Sequence, residues 1–142
     1  MGLSLVSVAA LAVVEAYQVG IVRRVPEPPW RWLAADRVDA SGEAYALLRT
    51  PDAGLGILSE AVSIVLVGMG GADRAGSRPW VPLAAAVKTL ADAAGAAWLF
   101  AEQVTRHRRL CGWCTLAAAA DVARVPLVLP EARRAWHVLR GG

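Results

Sequence analysis

The chain has 142 residues, 56% of them hydrophobic and 19% charged, with a mean hydropathy of +0.43. That balance is too apolar for an ordinary soluble domain and leaves an integral membrane protein or an alanine-rich soluble bundle. A formal charge of +3 does not argue for nucleic acid, because the arginines gather at the edges of apolar segments, where anionic lipid headgroups account for them.

Met1 to Val22 is apolar apart from Ser4, Ser7, Glu15, Tyr17 and Gln18, and about 20 residues at 1.5 Å rise cross a hydrocarbon core. It lacks a basic start and an obvious cleavage site, so a retained first span (1–22) is expected rather than a signal peptide. Residues 23–51 differ. Pro26, Pro28 and Pro29 forbid a continuous helix, Trp30 and Trp32 suit the headgroup level, and Arg31, Asp36, Arg37, Asp39 and Glu43 require water. This stretch reads as a cap on the bilayer, with one or two short amphipathic helices between Trp32 and Leu48 and Ser41 or Asp39 as N-caps.

A second span is expected over 53–72, interrupted by Glu60 and ending at Gly68, Gly70 and Gly71. After a turn from Asp73 to Pro79, a third runs over 80–104 with Lys88, Asp92 and Glu102, and a fourth over 114–129 with Asp121, Arg124 and Pro126. Residues 130–142 read as a basic segment along the membrane surface, carrying Arg133, Arg134, Trp136, His137 and Arg140. The fold class is therefore all-α: a single membrane domain, residues 1–142, built as a four-helix bundle with an amphipathic cap between its first two helices.

Charges at membrane depth cost about 3 kcal/mol each by insertion scales, so they should pair or face the interior. Lys88 and Asp92 are spaced i,i+4 and Asp121 and Arg124 i,i+3, so each pair can neutralise itself. Glu15 and Glu60 have no local cation. Each is a candidate for a proton path or a polar ligand contact, unless it lies near a helix end.

Cys111-Gly112-Trp113-Cys114 contains both cysteines of the chain. Three chemistries compete for it. Structural zinc takes four N or S ligands, and only His107 is near while His137 is remote, so no metal is expected. Two inert buried thiols are the second reading. Redox use is the third: Arg106, Arg108, Arg109 and a protonated His107, with the N-terminus of the fourth helix, would stabilise a thiolate. On that reading Cys111, nearer the N-terminus and more exposed, exchanges disulfides, and Cys114, one turn deeper, resolves. No glycine-rich phosphate loop, Ser-His-Asp arrangement or HExxH motif is present.

Three segments in order, Tyr45-Ala46-Leu47-Leu48, Pro51-Asp52-Ala53-Gly54-Leu55-Gly56 and Leu110-Cys111-Gly112-Trp113-Cys114, resemble the vitamin K epoxide reductase family, from Met1 to about Leu129. The resemblance implies a membrane thiol-disulfide oxidoreductase in which Cys111 and Cys114 are catalytic and pass two electrons to a quinone of the ubiquinone or menaquinone type. Glu60 and Trp113 are candidates to contact it. It also implies a thioredoxin-like dithiol partner and a multi-pass place in a bacterial-type inner membrane. The family's second cysteine pair, in the cap, is missing here: Asp36 to Glu43 offers carboxylates and Ser41 instead. Either a dithiol protein attacks the Cys111–Cys114 disulfide directly, or the chain is a non-catalytic subunit of a larger membrane complex that holds a lipid, quinone or pigment. Eight arginines flank the cysteine end of the spans and five the other. That bias favours a cytoplasmic cysteine end, whereas the resemblance implies an external one.

Overall fold

The computed structural model describes residues 1–40 and 51–141. Four long helices, α1 (Gly2–Gln18), α3 (Asp52–Gly68), α5 (Trp80–Glu102) and α6 (Gly112–Gly141), form the bundle, with two single-turn helices, α2 (Ala35–Val38) and α4 (Arg74–Ser77), in its connections. Among the described residues there is no strand, only a parallel bridge between Leu33 and Leu110. Helix α1 packs on α3 and α6, and α5 on α3 and α6, which closes the four into a ring.

The distribution of side chains is that of a membrane bundle. Large apolar groups point outward: Leu5, Leu58, Val65, Val87, Trp98 and Leu127 are all exposed. Most buried positions are small or polar, as Ser4, Ser7, Ala10, Ala85, Ala117 and Ala120 show, with Val14 and Val81 among the larger exceptions. Small residues let helices approach closely when lipid, not water, covers the outer face. Trp80–His107 and Gly112–Gly141 are long and apolar enough to cross a membrane, and Gly2–Gln18 is a shorter apolar helix. At 17 residues α1 and α3 reach the lower end of the spanning range.

The paired glycines after Pro51 set the α1–α3 distance. A Cβ on Gly54 would stand 3.1–3.3 Å from the Glu15 carboxyl, and one on Gly56 would stand 2.8 Å from Leu11 Cδ1. At the far end of α3, Gly70 and Gly71 take positive φ (91° and 72°) and turn the chain. Arg74 then reaches back, donating from Nη1 to the carbonyls of Leu66, Val67 and Met69. Its Nε and Nη2 grip Glu131 at 2.6 Å each. One side chain thus satisfies the open C-terminus of α3 and ties it to α6.

Two features differ from the sequence expectation: the length of α6 and the place of Asp39. Helix α6 does not stop near Leu129: it runs through Pro126 and Pro130 to Gly141. Each proline deletes one backbone donor, a loss that a helix braced by neighbours tolerates, and the Arg74–Glu131 pair braces α6 one residue beyond Pro130. The cap between 32 and 40 holds one short helix, and Asp39 is at its C-terminal end rather than at an N-cap. Ser41, Glu43, Arg49 and Tyr45 to Leu48 lie outside the described residues.

Candidate active site

The CxxC motif opens α6, and its geometry follows from helix-end chemistry. Cys111 precedes the first helical residue, Gly112. Its Sγ accepts the Cys114 N–H at 3.1 Å, the bond that a Ser or Asp side chain makes at an N-cap. Its carbonyl accepts from the Thr115 N–H at 2.9 Å and hydroxyl at 2.8 Å, and its own N–H donates to Gln103 Oε1 at 2.9 Å. Gln103 opens the π-helical turn Gln103–His107, which Arg108 ends in the left-handed region at φ 51°. The turn and the left-handed residue swing the chain from α5 into the CxxC.

The cap is stitched onto this helix start. Leu110 N–H donates to the Trp32 carbonyl at 3.0 Å, and Ala34 N–H donates to the Leu110 carbonyl at 2.9 Å. Glu27 closes two helix starts at once, accepting from Ala35 N–H at 2.7 Å and from Gly112 N–H. Its charge is favourable against both partial positive ends. Trp113 Nε1 donates to the Pro26 carbonyl at 2.7 Å, so this candidate ligand contact is engaged in holding the cap. Further back, Asp36 accepts from Val25 N–H at 2.8 Å, and Gln18 Nε2 links α1 to the Asp39 carbonyl and Asp52.

The cap brings down the residue that the linear pattern does not mark as part of the site. Asp39 is 1% exposed, Cys114 Sγ donates to its Oδ1 at 3.3 Å, and its Oδ2 is buried without a partner. The ligand-type atoms of Asp39, Cys111 and Cys114 lie within 4.8 Å of one another. Desolvation pushes the Asp39 carboxyl up to about 6, against the lowering effect of hydrogen bonds from both thiols and with a further rise from Asp52 and Glu27. Two thiolate-type sulfurs and one carboxylate oxygen would also give a soft cation three donors, one short of a closed zinc shell.

The relative exposure of the two sulfurs is reversed from the sequence expectation. Cys111 is fully buried, at 0% exposure, beneath the cap, whereas Cys114 is partly exposed and forms part of a cavity wall. The basic run is also used differently. Arg106 pairs with Glu102 at 3.1 Å and Arg109 donates to the Arg31 carbonyl, so the charged group in hydrogen-bond contact with a thiol is an acid.

That cavity measures about 680 Å³ and runs down the bundle from Asp39 and Cys114 to Glu60, Asp92 and Asp121, between apolar walls such as Leu11, Val14, Leu99 and Phe100. Arg106 and His107 also line it. Its walls are largely apolar, with polar groups at Asp39 and at Glu60, Asp92 and Asp121, the lining of a small-molecule site. Glu60 is on the wall but is not unpaired: Arg124, a helix away, holds it with two N–H groups at 2.8 and 2.6 Å. Local spacing hides that pairing because the partners are 64 positions apart. The two expected local pairs form, Lys88 with Asp92 at 2.6 Å and Arg124 with Asp121 at 2.8 Å. Glu15 keeps a buried Oε2 without a hydrogen-bond partner.

No curated protein and no solved structure matches the chain. Residues 1–129 match the profile of the vitamin K epoxide reductase family, covering all four long helices up to the point where α6 meets Pro130, and including the cap and the CxxC. With a membrane bundle, a dithiol at a helix start and a sequence match over most of its length, the chain belongs to the vitamin K epoxide reductase family of membrane thiol-disulfide oxidoreductases.

Proposed function

We propose that Cys111 and Cys114 oxidise to a disulfide as a quinone in the adjoining cavity is reduced, and that a soluble thioredoxin-like dithiol protein reduces that disulfide directly. The observation that carries this reading is the position of Cys114, on the cavity wall with its Sγ 3.3 Å from the Asp39 carboxyl. Bound there, the quinone supplies a two-electron acceptor. Asp39, when ionised, takes the Cys114 thiol proton and leaves the thiolate, the reactive form of sulfur. Cys111, three residues away on the first turn, is placed to close the disulfide. The cap contains no cysteine, so the partner's thiolate attacks at the CxxC itself. Its two electrons pass through Cys111 and Cys114 to the quinone, leaving the partner oxidised. Of the two candidate quinone contacts, Glu60 is on the cavity wall. Ubiquinone and menaquinone both fit the chemistry, and a bacterial-type cell membrane is the setting.

Cys111→Ala and Cys114→Ala are each expected to abolish quinone-dependent thiol oxidation by purified protein, measured as quinol formation from ubiquinone-1 with a dithiol donor. Undiminished turnover in either variant would sink the assignment; a stoichiometric membrane partner on native purification, with function indifferent to both substitutions, would favour the non-catalytic subunit reading.

A further inference from the structure

Below the thiols, at the middle of the bundle, five ionisable side chains meet. Arg124 Nη2 donates to Glu60 Oε1 at 2.6 Å and to Asp121 Oδ1 at 2.8 Å, so two carboxylate oxygens share one nitrogen. Lys88 Nζ is 2.6 Å from both oxygens of Asp92, and Asp92 Oδ2 is 3.7 Å from Arg124 Nη2. Helix α3 adds the Ser59 and Ser63 hydroxyls to Asp92, and α1 adds Ser4, which accepts from Arg124 Nη1 at 2.8 Å. Three carboxylates therefore face two cations. Fully ionised, the group would carry one uncompensated negative charge at membrane depth, and one bound proton removes that cost.

Pairing indicates which carboxyl holds the proton. Glu60 receives two N–H bonds from Arg124, and Asp92 receives Lys88 on both oxygens and a serine on each. Asp121 accepts one N–H, from a nitrogen already given to Glu60, and its carboxyl is in hydrogen-bond contact with that of Glu60, a contact that forms only when one of the two carries a proton.

A second observation gives that proton a route. The network is a partition between two cavities. Glu60, Asp92 and Asp121 line the cavity that contains Cys114. Arg124 and Ser63 line another, of about 360 Å³, which reaches Met1, Arg74 and Glu131 at the opposite end of the bundle. Arg124 is 6% exposed, and its Nε is buried without a partner. Along α6, Asp121 lies seven residues, about 10 Å of helix rise, beyond Cys114.

The geometry points to Asp121, held on Arg124 beside Glu60, as the proton donor to the quinone oxygen remote from the thiols, recharged from the opposite membrane face through the second cavity. This rests on the quinone reading above. In one turnover the S–H bonds of Cys111 and Cys114 break, the S–S bond forms and two electrons pass to the quinone. One thiol proton goes to the near quinone oxygen and the other leaves through Asp39 to the cap face. The Asp121 O–H breaks to protonate the far oxygen, and water in the second cavity returns a proton to Asp121. The sum is dithiol plus quinone plus one proton from the second-cavity face, giving disulfide plus quinol plus one proton at the cap face. One positive charge crosses the protein per quinol.

The full chain is reconstituted in vesicles with a pH dye inside, ubiquinone-1 in the bilayer and a membrane-impermeant phosphine reductant outside. The external reductant drives only molecules with the cap outward. The vesicle interior is expected to lose one proton per quinol formed, and Asp121→Asn to stop that loss; quinol formation by the wild type with unchanged interior pH overturns the proposal. If no quinol forms, the quinone reading has failed on its own, and infrared spectroscopy of the quinone-free protein decides the held proton. A protonated-carboxyl C=O stretch is expected in the wild type at about pH 8, where Asp39 is ionised, and is expected to disappear in Asp121→Asn. Its absence from the wild type, or its persistence in a folded variant, overturns the assignment. The wild-type readings stand even if the variant does not fold.

Discussion

Asp39 shows how one side chain can couple the stability of the cap to the chemistry beneath it. Its carboxyl rises from 3.8 to about 6 because burial disfavours the ionised form more than the two thiol hydrogen bonds favour it. A group whose value is raised on folding contributes stability that is fully present below its unfolded value and lost as pH rises through the folded one. The contribution is about 3 kcal/mol. The wild-type melting temperature is therefore expected to fall between pH 4 and pH 7, and that of Asp39→Asn to fall less across the same window, because partial burial raises the Asp52 carboxyl as well. Thiol oxidation needs the ionised form and should rise as pH passes about 6, a limb that Asp39→Asn loses. Thermal melts and initial rates across that range measure both. A pH-independent wild type in both would refute the acid-base role. Sequence reading places the two sulfurs at a helix start, but it offers Asp39 only as a helix cap and as one of the carboxylates of Asp36 to Glu43 that stand where a second cysteine pair is missing. Nothing in local spacing links position 39 to positions 111 and 114, and the contact exists because the Leu33–Leu110 bridge folds the cap over α6.

At the scale of elements, the bundle is fixed by what closes its helix ends. Glu27 closes the start of α6, and Arg74 closes the end of α3 while gripping α6 through Glu131. Arg74→Met keeps the aliphatic stem but removes both sets of bonds. It should lower unfolding free energy by about 1–3 kcal/mol, since hydrogen bonds to charged groups carry most of that contact. Glu131→Gln, which leaves the carbonyl contacts intact, should cost less. Unfolding in a detergent series compares them, and equal losses would show that the ion pair alone matters. The spans were legible as apolar runs because lipid demands them. The continuation of α6 past Pro130 was not, since proline is a helix breaker by local rules and only a neighbouring helix can brace the segment beyond it.

For the whole molecule, the ring of four helices places the cap and CxxC at one end and the α3–α5 connection at the other. In a chain whose Cys111 and Cys114 are both replaced by alanine, single cysteines at Arg31 and Ser77, both exposed, should react with an impermeant maleimide from opposite faces of sealed vesicles. Labelling from the same face would break the four-span topology. The order of residues alone dictated the solvent, the four long apolar helices and the i,i+3 and i,i+4 charge pairs, because hydropathy and helical spacing act over short stretches of chain. The tertiary structure decided which sulfur meets the cavity, which acid meets the sulfur, and that Glu60 belongs to Arg124. Those are contacts between residues 64 to 75 positions apart, and only the packing of one helix against another brings such partners within a hydrogen bond.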